Sequence, residues 1–290
     1  MKILRAAKSV LSKPPAVVLR RAYSEVLAQY HAVSGVPEGR LRDPRGWLLR
    51  ETEHSSVEEL WNAIARTPYP RLDAAFLGQQ AECCSSGLQR ILDAAQRAMR
   101  HEVTLLGAEA RLGEQIAWHR DFKSGIEWPM EFNRRLNYHD FERPSDVKVP
   151  WELSRFQWWL PVAQAYLLTG EEPLASATRT LLDEWMRANP VGVGVNWACA
   201  MEIALRLVTW TWLFRAFEGS AAWADESFRV RFLSSLFVHA LQIERNLEES
   251  DVNSNHFLAD AAGLVFAGLF FGGGVGNLAR GLHIGRWQCR

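Results

Sequence analysis

The chain has 290 residues, 48% hydrophobic and 23% charged, which is the profile of a globular protein able to bury a sizeable core. Lys plus Arg equals Asp plus Glu at 33 each, so the excess of cations that a general nucleic-acid binder needs is missing. An acidic ligand is still allowed, because a neutral protein can focus a few Arg and Lys in one cleft.

The N-terminus is basic. Lys2, Arg5, Lys8, Lys13, Arg20 and Arg21 precede the first acid, Glu25. It lacks the apolar stretch of about 7–15 residues that a secretory signal requires. The expected location is therefore the cytoplasm, with the periplasm as the alternative. Residues 1–110 read as an N-terminal helical region, with helices over 17–31, 56–65 and 87–100 separated by Pro- and Gly-rich breaks. Ser56-Val57-Glu58-Glu59 has the spacing of a capping box.

Residues 111–150 are dense in aromatic, His and charged side chains and poor in helical periodicity, and they read as a long structured loop. From 151 onward the pattern is helical: 151–169 with a kink at Pro161, then 172–188, 197–217, 227–247 and 256–271. Long helices joined by short loops predict antiparallel hairpins in series, as in an α/α solenoid or toroid, with almost no strand. The apolar run 264–271 is too short to cross a bilayer, which takes about 20 residues, so no membrane partner is expected. Residues 272–290 are expected to be an irregular tail outside the toroid, as though truncated or frame-shifted.

Composition gives two further readings. Of 13 Trp, nine fall between 118 and 212. Indole rings suit the apolar faces of sugars, although core packing is the more common use of any one Trp. The cysteines Cys83, Cys84, Cys199 and Cys289 form no CxxC and no Cys/His pair with zinc spacing. They read as free thiols, and neither a metal nor another cofactor is expected.

Three motifs place polar groups on apolar helices. Glu152 and Arg155, three apart, share a face at the start of one helix, beside Trp151. In Asn196-Trp197-Ala198-Cys199-Ala200-Met201-Glu202-Ile203-Ala204-Leu205-Arg206, Asn196 sits where it can cap a helix, and Glu202 and Arg206 have the i,i+4 ion-pair spacing. In Asp251-Val252-Asn253-Ser254-Asn255-His256, two amides and an imidazole gather at a helix N-terminus, which favours an anion. Ordinary capping and ion pairing account for the same spacings.

Taken with Trp128-Pro129, Asp146-Val147-Lys148-Val149-Pro150 and Thr169-Gly170-Glu171-Glu172, these motifs resemble the N-terminal catalytic region of the heparinase II/III-like polysaccharide lyases over residues 115–271. The resemblance implies an all-α fold, an incomplete (α/α) toroid, which the family follows with a β-sandwich. It implies an acidic polysaccharide substrate such as heparan sulfate or alginate, cleaved by β-elimination at a uronate. Asn255 and His256 take the roles of carboxylate neutraliser or base. Asn196, Trp197, Glu202, Arg206, Asn253, Arg155, Trp128, His139 and His119 are the expected substrate-binding residues. The family's proton-donating Tyr and a further His would lie past Arg290, so this chain is expected to be a poor lyase. Two other classes stay open: an α/α-barrel glycoside hydrolase using two of Glu127, Asp140 and Glu202, and a non-catalytic glycan-binding fragment.

Overall fold

A computed structural model describes residues 15–69, 74–83, 85–140, 142–248 and 254–272. Helices α1 (Pro15–Ser34), α2 (Pro44–Thr52), α3 (Val57–Arg66), α4 (Ala74–Cys83) and α5 (Ser85–Met99) come first. A hairpin of β1 (Glu102–Leu105) and β2 (Ala108–Arg111) follows, and then the loop from 112 to 147. Helices α6 (Lys148–Ser154), α7 (Leu160–Thr169), α8 (Glu172–Ala188), α9 (Ala200–Phe217), α10 (Glu226–Arg245) and α11 (Asn255–Phe271) complete the described chain. The fold is all-α, an incomplete (α/α) toroid. None of its described helices is long and apolar enough to cross a membrane.

Local chemistry sets the boundaries. The Ser56 hydroxyl accepts the Glu59 N–H at 3.1 Å, while the Glu59 carboxylate reaches back to the N–H of Ser55 at 3.0 Å, a capping box shifted by one residue. Val57, Leu60, Trp61 and Ile64 then face the core at helical spacing. Asp225 caps α10 by accepting the Phe228 N–H at 2.7 Å. Gly170, at φ 69°, ends α7 in the left-handed conformation that a Cβ would strain.

The single helix expected over 151–169 is two helices. The chain breaks at Phe156, which has φ 63°. A left-handed non-glycine residue costs about 1–2 kcal/mol. Deleting a buried Phe costs about 3–5 kcal/mol, so packing decides the conformation. The ring stacks on Trp118 at 5.4 Å and meets Trp210 edge-on at 5.5 Å. Pro161 then lies in the first turn of α7, where its missing N–H costs nothing, and kinks no helix. The β1–β2 hairpin was not expected. Leu106 and Gly107 both have positive φ, 50° and 74°, as a two-residue turn requires.

One core runs from Leu48 to Phe271. It crosses residue 110: Trp61 of α3 meets Phe214 of α9 at 4.6 Å, and Trp47 of α2 meets Phe237 of α10 at 5.4 Å. Trp61, Trp118, Trp159, Trp185, Trp210 and Trp223 are fully buried in it, and Trp128, Trp151 and Trp197 are buried too, so among the described residues most tryptophans are packing rather than sugar platform. Helix α9 is central, packing against α7, α10 and α11. At Gly263 of α11 an added Cβ would sit 2.7 Å from the Ala204 Cβ, so the absence of a side chain sets how closely α9 and α11 approach.

Candidate functional site

A buried polar network lies behind the start of α9. Glu202 is held by the Arg155 guanidinium through both oxygens, at 2.6 and 2.7 Å, and Arg155 also binds Glu152. Opposite charges beside Arg155 raise its pKa, although burial alone would lower it. Arg206 instead donates to the His239 Nε2 at 2.8 Å and to the Asn196 carbonyl at 3.0 Å, with its guanidinium 4.3 Å over Trp185. His239 donates from Nδ1 to the Ser235 carbonyl at 2.6 Å. Burial, with the Arg206 charge adding, holds this imidazole well below its ordinary range and therefore neutral.

The predicted site residues divide by location. Glu202 and Arg206 do not pair with each other, and both are buried. Asn196 caps no helix. Its side-chain amide is consumed by the Trp118 carbonyl at 3.0 Å and the Asn189 oxygen at 2.8 Å. Trp197 is buried and donates to the Asn189 carbonyl at 3.1 Å. These side chains hold the loop before α9 and are turned inward, although Trp197 also borders a cleft. His119 and Trp128 are also interior: His119 sits against Gly194 and reaches the Ala188 carbonyl at 3.2 Å, and Trp128 lies under Arg143 at 4.2 Å. Burial lowers the His119 pKa. His139 is exposed against Tyr138. Asn253 lies outside the described residues.

The Asn196 and Asn255 motifs do meet, through a residue that neither contains. The Glu248 Oε2 accepts the Met201 N–H at 3.0 Å, so a carboxylate from a distant segment caps α9. Its Oε1 lies 3.1 Å from the His256 Nδ1, and the Cys199 thiol donates to Oε2 at 3.4 Å. At the start of α11 the cap is Ser254, which accepts the His256 N–H at 3.3 Å. This leaves the Asn255 amide exposed, 4.0 Å from the Met201 sulfur. Beneath lies Asp260, whose Oδ2 accepts the Glu248 N–H at 2.8 Å. Burial, reinforced by Glu248, pushes its carboxyl up to about 7.

Glu248 also lines a cleft of about 320 Å³ with Asn133, Arg134, Tyr138, Trp197 and Asn246. Arg134 is oriented there by the Asn246 oxygen at 3.3 Å and by Glu25 of α1 at 3.1 Å. Burial pushes the Tyr138 phenol up to about 12, with the charges of Cys199 and Glu248 adding. A second hollow of about 380 Å³, between His101, Trp159 and Glu184, contains none of the motif residues. The loop from 112 to 147 supplies the outer wall of the first cleft. It is pinned by Asp121, which burial alone would raise. Bonds from the Ser124 hydroxyl, the Asp146, Lys123 and Ser124 N–H groups lower it instead. Tyr138, Arg134, Glu248 and His239 were not singled out by spacing, because each meets its partners from a different segment.

Residues 89–273, which carry both motifs and the cleft, match the sequence model of the heparinase II/III N-terminus. The chain belongs to the heparinase II/III family. It is 25% identical over 228 residues to a heparin-sulfate lyase of Pedobacter heparinus, covering 76% of this chain and 33% of that one. It is 24% identical over 191 residues to a heparin-sulfate lyase of Bacteroides stercoris, covering 59% and 28%. The crystal structure of heparan sulfate lyase HepC from Pedobacter heparinus superposes with a TM-score of 0.50 at 25% identity, over 62% of this chain and 25% of that one. The chain thus spans about a third of the length of the curated heparinase relatives it matches.

Proposed function

We propose that this chain carries the uronate-binding part of a polysaccharide lyase that cleaves glycans such as heparan sulfate or alginate by β-elimination. The observation that carries the reading is the junction of α9 and α11. There an exposed Asn255 amide and the His256 imidazole stand at a helix N-terminus, beside a cleft that presents Arg134 and Tyr138. Such a junction suits a carboxylate, since amide donors, a guanidinium and the helix dipole all favour negative charge. Neutralising the carboxylate stabilises the enolate-like intermediate formed when a base removes the C-5 proton. A Tyr or His then protonates the departing glycosidic oxygen. Arg155, Glu202 and Arg206 are assigned a positioning role, because their charged groups are used inside the protein, and so is Asn196, whose amide N–H groups are both used there. With Glu202 locked to Arg155, the hydrolase alternative has lost one of its three candidate carboxylates.

Because the chain spans about a third of its relatives, binding is what is proposed of the chain and turnover of the whole protein. The test is calorimetric titration with alginate and heparan sulfate oligosaccharides, alongside near-ultraviolet detection of unsaturated product. Binding is expected, weakened about tenfold by Asn255→Ala, the loss of one charge-assisted hydrogen bond. Binding that ignores both Asn255→Ala and His256→Ala, or no binding of either glycan, overturns the reading. Cleavage without an unsaturated product would favour the hydrolase.

A further inference from the structure

Zinc-type spacing is absent from the sequence, yet the fold assembles such a donor set from three separate segments. Cys199 closes the loop before α9, Glu248 follows α10, and His256 lies in the first turn of α11. The Cys199 Sγ is 3.4 Å from the Glu248 Oε2 and 4.0 Å from the His256 Nδ1, and that nitrogen is 3.1 Å from the Glu248 Oε1. A tetrahedral zinc ion with ligands at ~2.0–2.3 Å sets its donors about 3.3–3.8 Å apart. The three separations bracket that edge length, so side-chain adjustments of a few tenths of an ångström would admit an ion. We propose that Cys199, Glu248 and His256 bind one divalent ion of the zinc class, with its remaining position turned toward the cleft.

Two features separate this arrangement from a nucleophilic relay or a chance contact. In a Cys–His–carboxylate relay the thiol and the acid use opposite ring nitrogens. Here both approach Nδ1, which is what three ligands of one ion do. The carboxylate is also held from behind: its backbone N–H by Asp260 at 2.8 Å and its Oε2 by the Met201 N–H at 3.0 Å. Such outer contacts orient metal ligands. The donor types choose the ion. Thiolate with imidazole suits zinc and its neighbours, whereas calcium and magnesium want oxygen throughout. Cys199 is buried, while the Glu248 and His256 side chains are 27% and 38% exposed, so one side of the ion would be open. Three protein ligands and an open position is the arrangement of catalytic rather than closed structural sites.

The test is titration of the chelator-treated protein with Co²⁺, read by absorption, and it is independent of glycan binding. One equivalent is expected to bind with a thiolate-to-cobalt charge-transfer band, and Zn²⁺ should displace it. Cys199→Ser should abolish the band. Replacing Cys83, Cys84 and Cys289 together by Ser should leave it. Glu248→Gln and His256→Gln should each weaken binding tenfold or more. They decide the matter if circular dichroism finds Cys199→Ser unfolded. No band at stoichiometric Co²⁺, a band that survives Cys199→Ser, or affinity unchanged in both other variants overturns the proposal.

Discussion

Arg206 keeps its charge inside the core because a neutral imidazole accepts its Nε–H and a carbonyl accepts its Nη2–H. His239→Leu would leave one of these donors unsatisfied, and a loss of about 1–3 kcal/mol is expected in urea unfolding. Breaking the Arg155–Glu202 pair with Glu202→Ala should cost a similar amount, about 1–3 kcal/mol, because the half-buried guanidinium loses two charge-assisted bonds and keeps only Glu152. Asp260 sets a pH dependence. Its carboxyl ordinarily ionises near 3.8 but in the fold near 7, so the native state holds a proton that the unfolded chain releases. The stability due to that proton is complete below about 3.8 and is lost as pH rises toward 7. Asp260→Asn keeps an oxygen for the Glu248 N–H and cannot ionise. Its stability relative to the parent should rise by about 1–3 kcal/mol between pH 4 and 8. A difference that stays flat across those pH values would contradict this account.

Between elements, the α9–α11 crossing gives the clearest test. In an isolated helix, Gly→Ala gains about 1 kcal/mol. At Gly263 the new methyl would lie 2.7 Å from the Ala204 Cβ and 3.0 Å from its Cα, a backbone atom that cannot rotate away. Overpacking costs about 1–3 kcal/mol, so Gly263→Ala should lower the melting temperature, and adding Ala204→Gly should recover most of the loss. Crossings of this kind explain what the sequence displayed and what it hid. The bounds 172–188 were legible because Gly170 ahead of the run and Asn189-Pro190 behind it are helix breakers. Helices α10 and α11 were legible to within two residues. The break at Phe156 was hidden because its cause is the stack on Trp118, a tertiary contact that overrides local pattern. Glu248, through which the Asn196 and Asn255 motifs meet, was hidden because it lies in the polar stretch between two helical patterns. Spacing along a helix correctly gave Glu152 with Arg155. It failed for Glu202 and Arg206, whose side-chain partners are Arg155, just past α6, and His239 of α10.

Among the described residues, α1 and α11 each present several apolar residues to solvent along one stripe. On α11, Leu258, Val265 and Leu269 are exposed along one stripe. On α1, Leu19, Tyr23, Val26, Tyr30 and Val33 alternate four and three apart, the spacing of a coiled-coil seam, and all are exposed. Apolar stripes of this length favour contact with a second copy. Sedimentation velocity should show concentration-dependent association, reduced by Val26→Lys with Val33→Lys, or by Leu258→Lys with Val265→Lys. A monomer at every concentration would contradict it.

The large core that joins the N-terminal helices to α9 also imposes an order in time. The Trp61 indole donates to the Glu218 carbonyl, 157 positions further along the chain. Ribosomes add about 5–20 residues per second, so α3 waits roughly 10–30 s for the helix that covers it. During that interval Leu60, Trp61 and Ile64 have no later helix to lie against. The nascent N-terminal helices are therefore natural clients for a chaperone that shields apolar surface during synthesis.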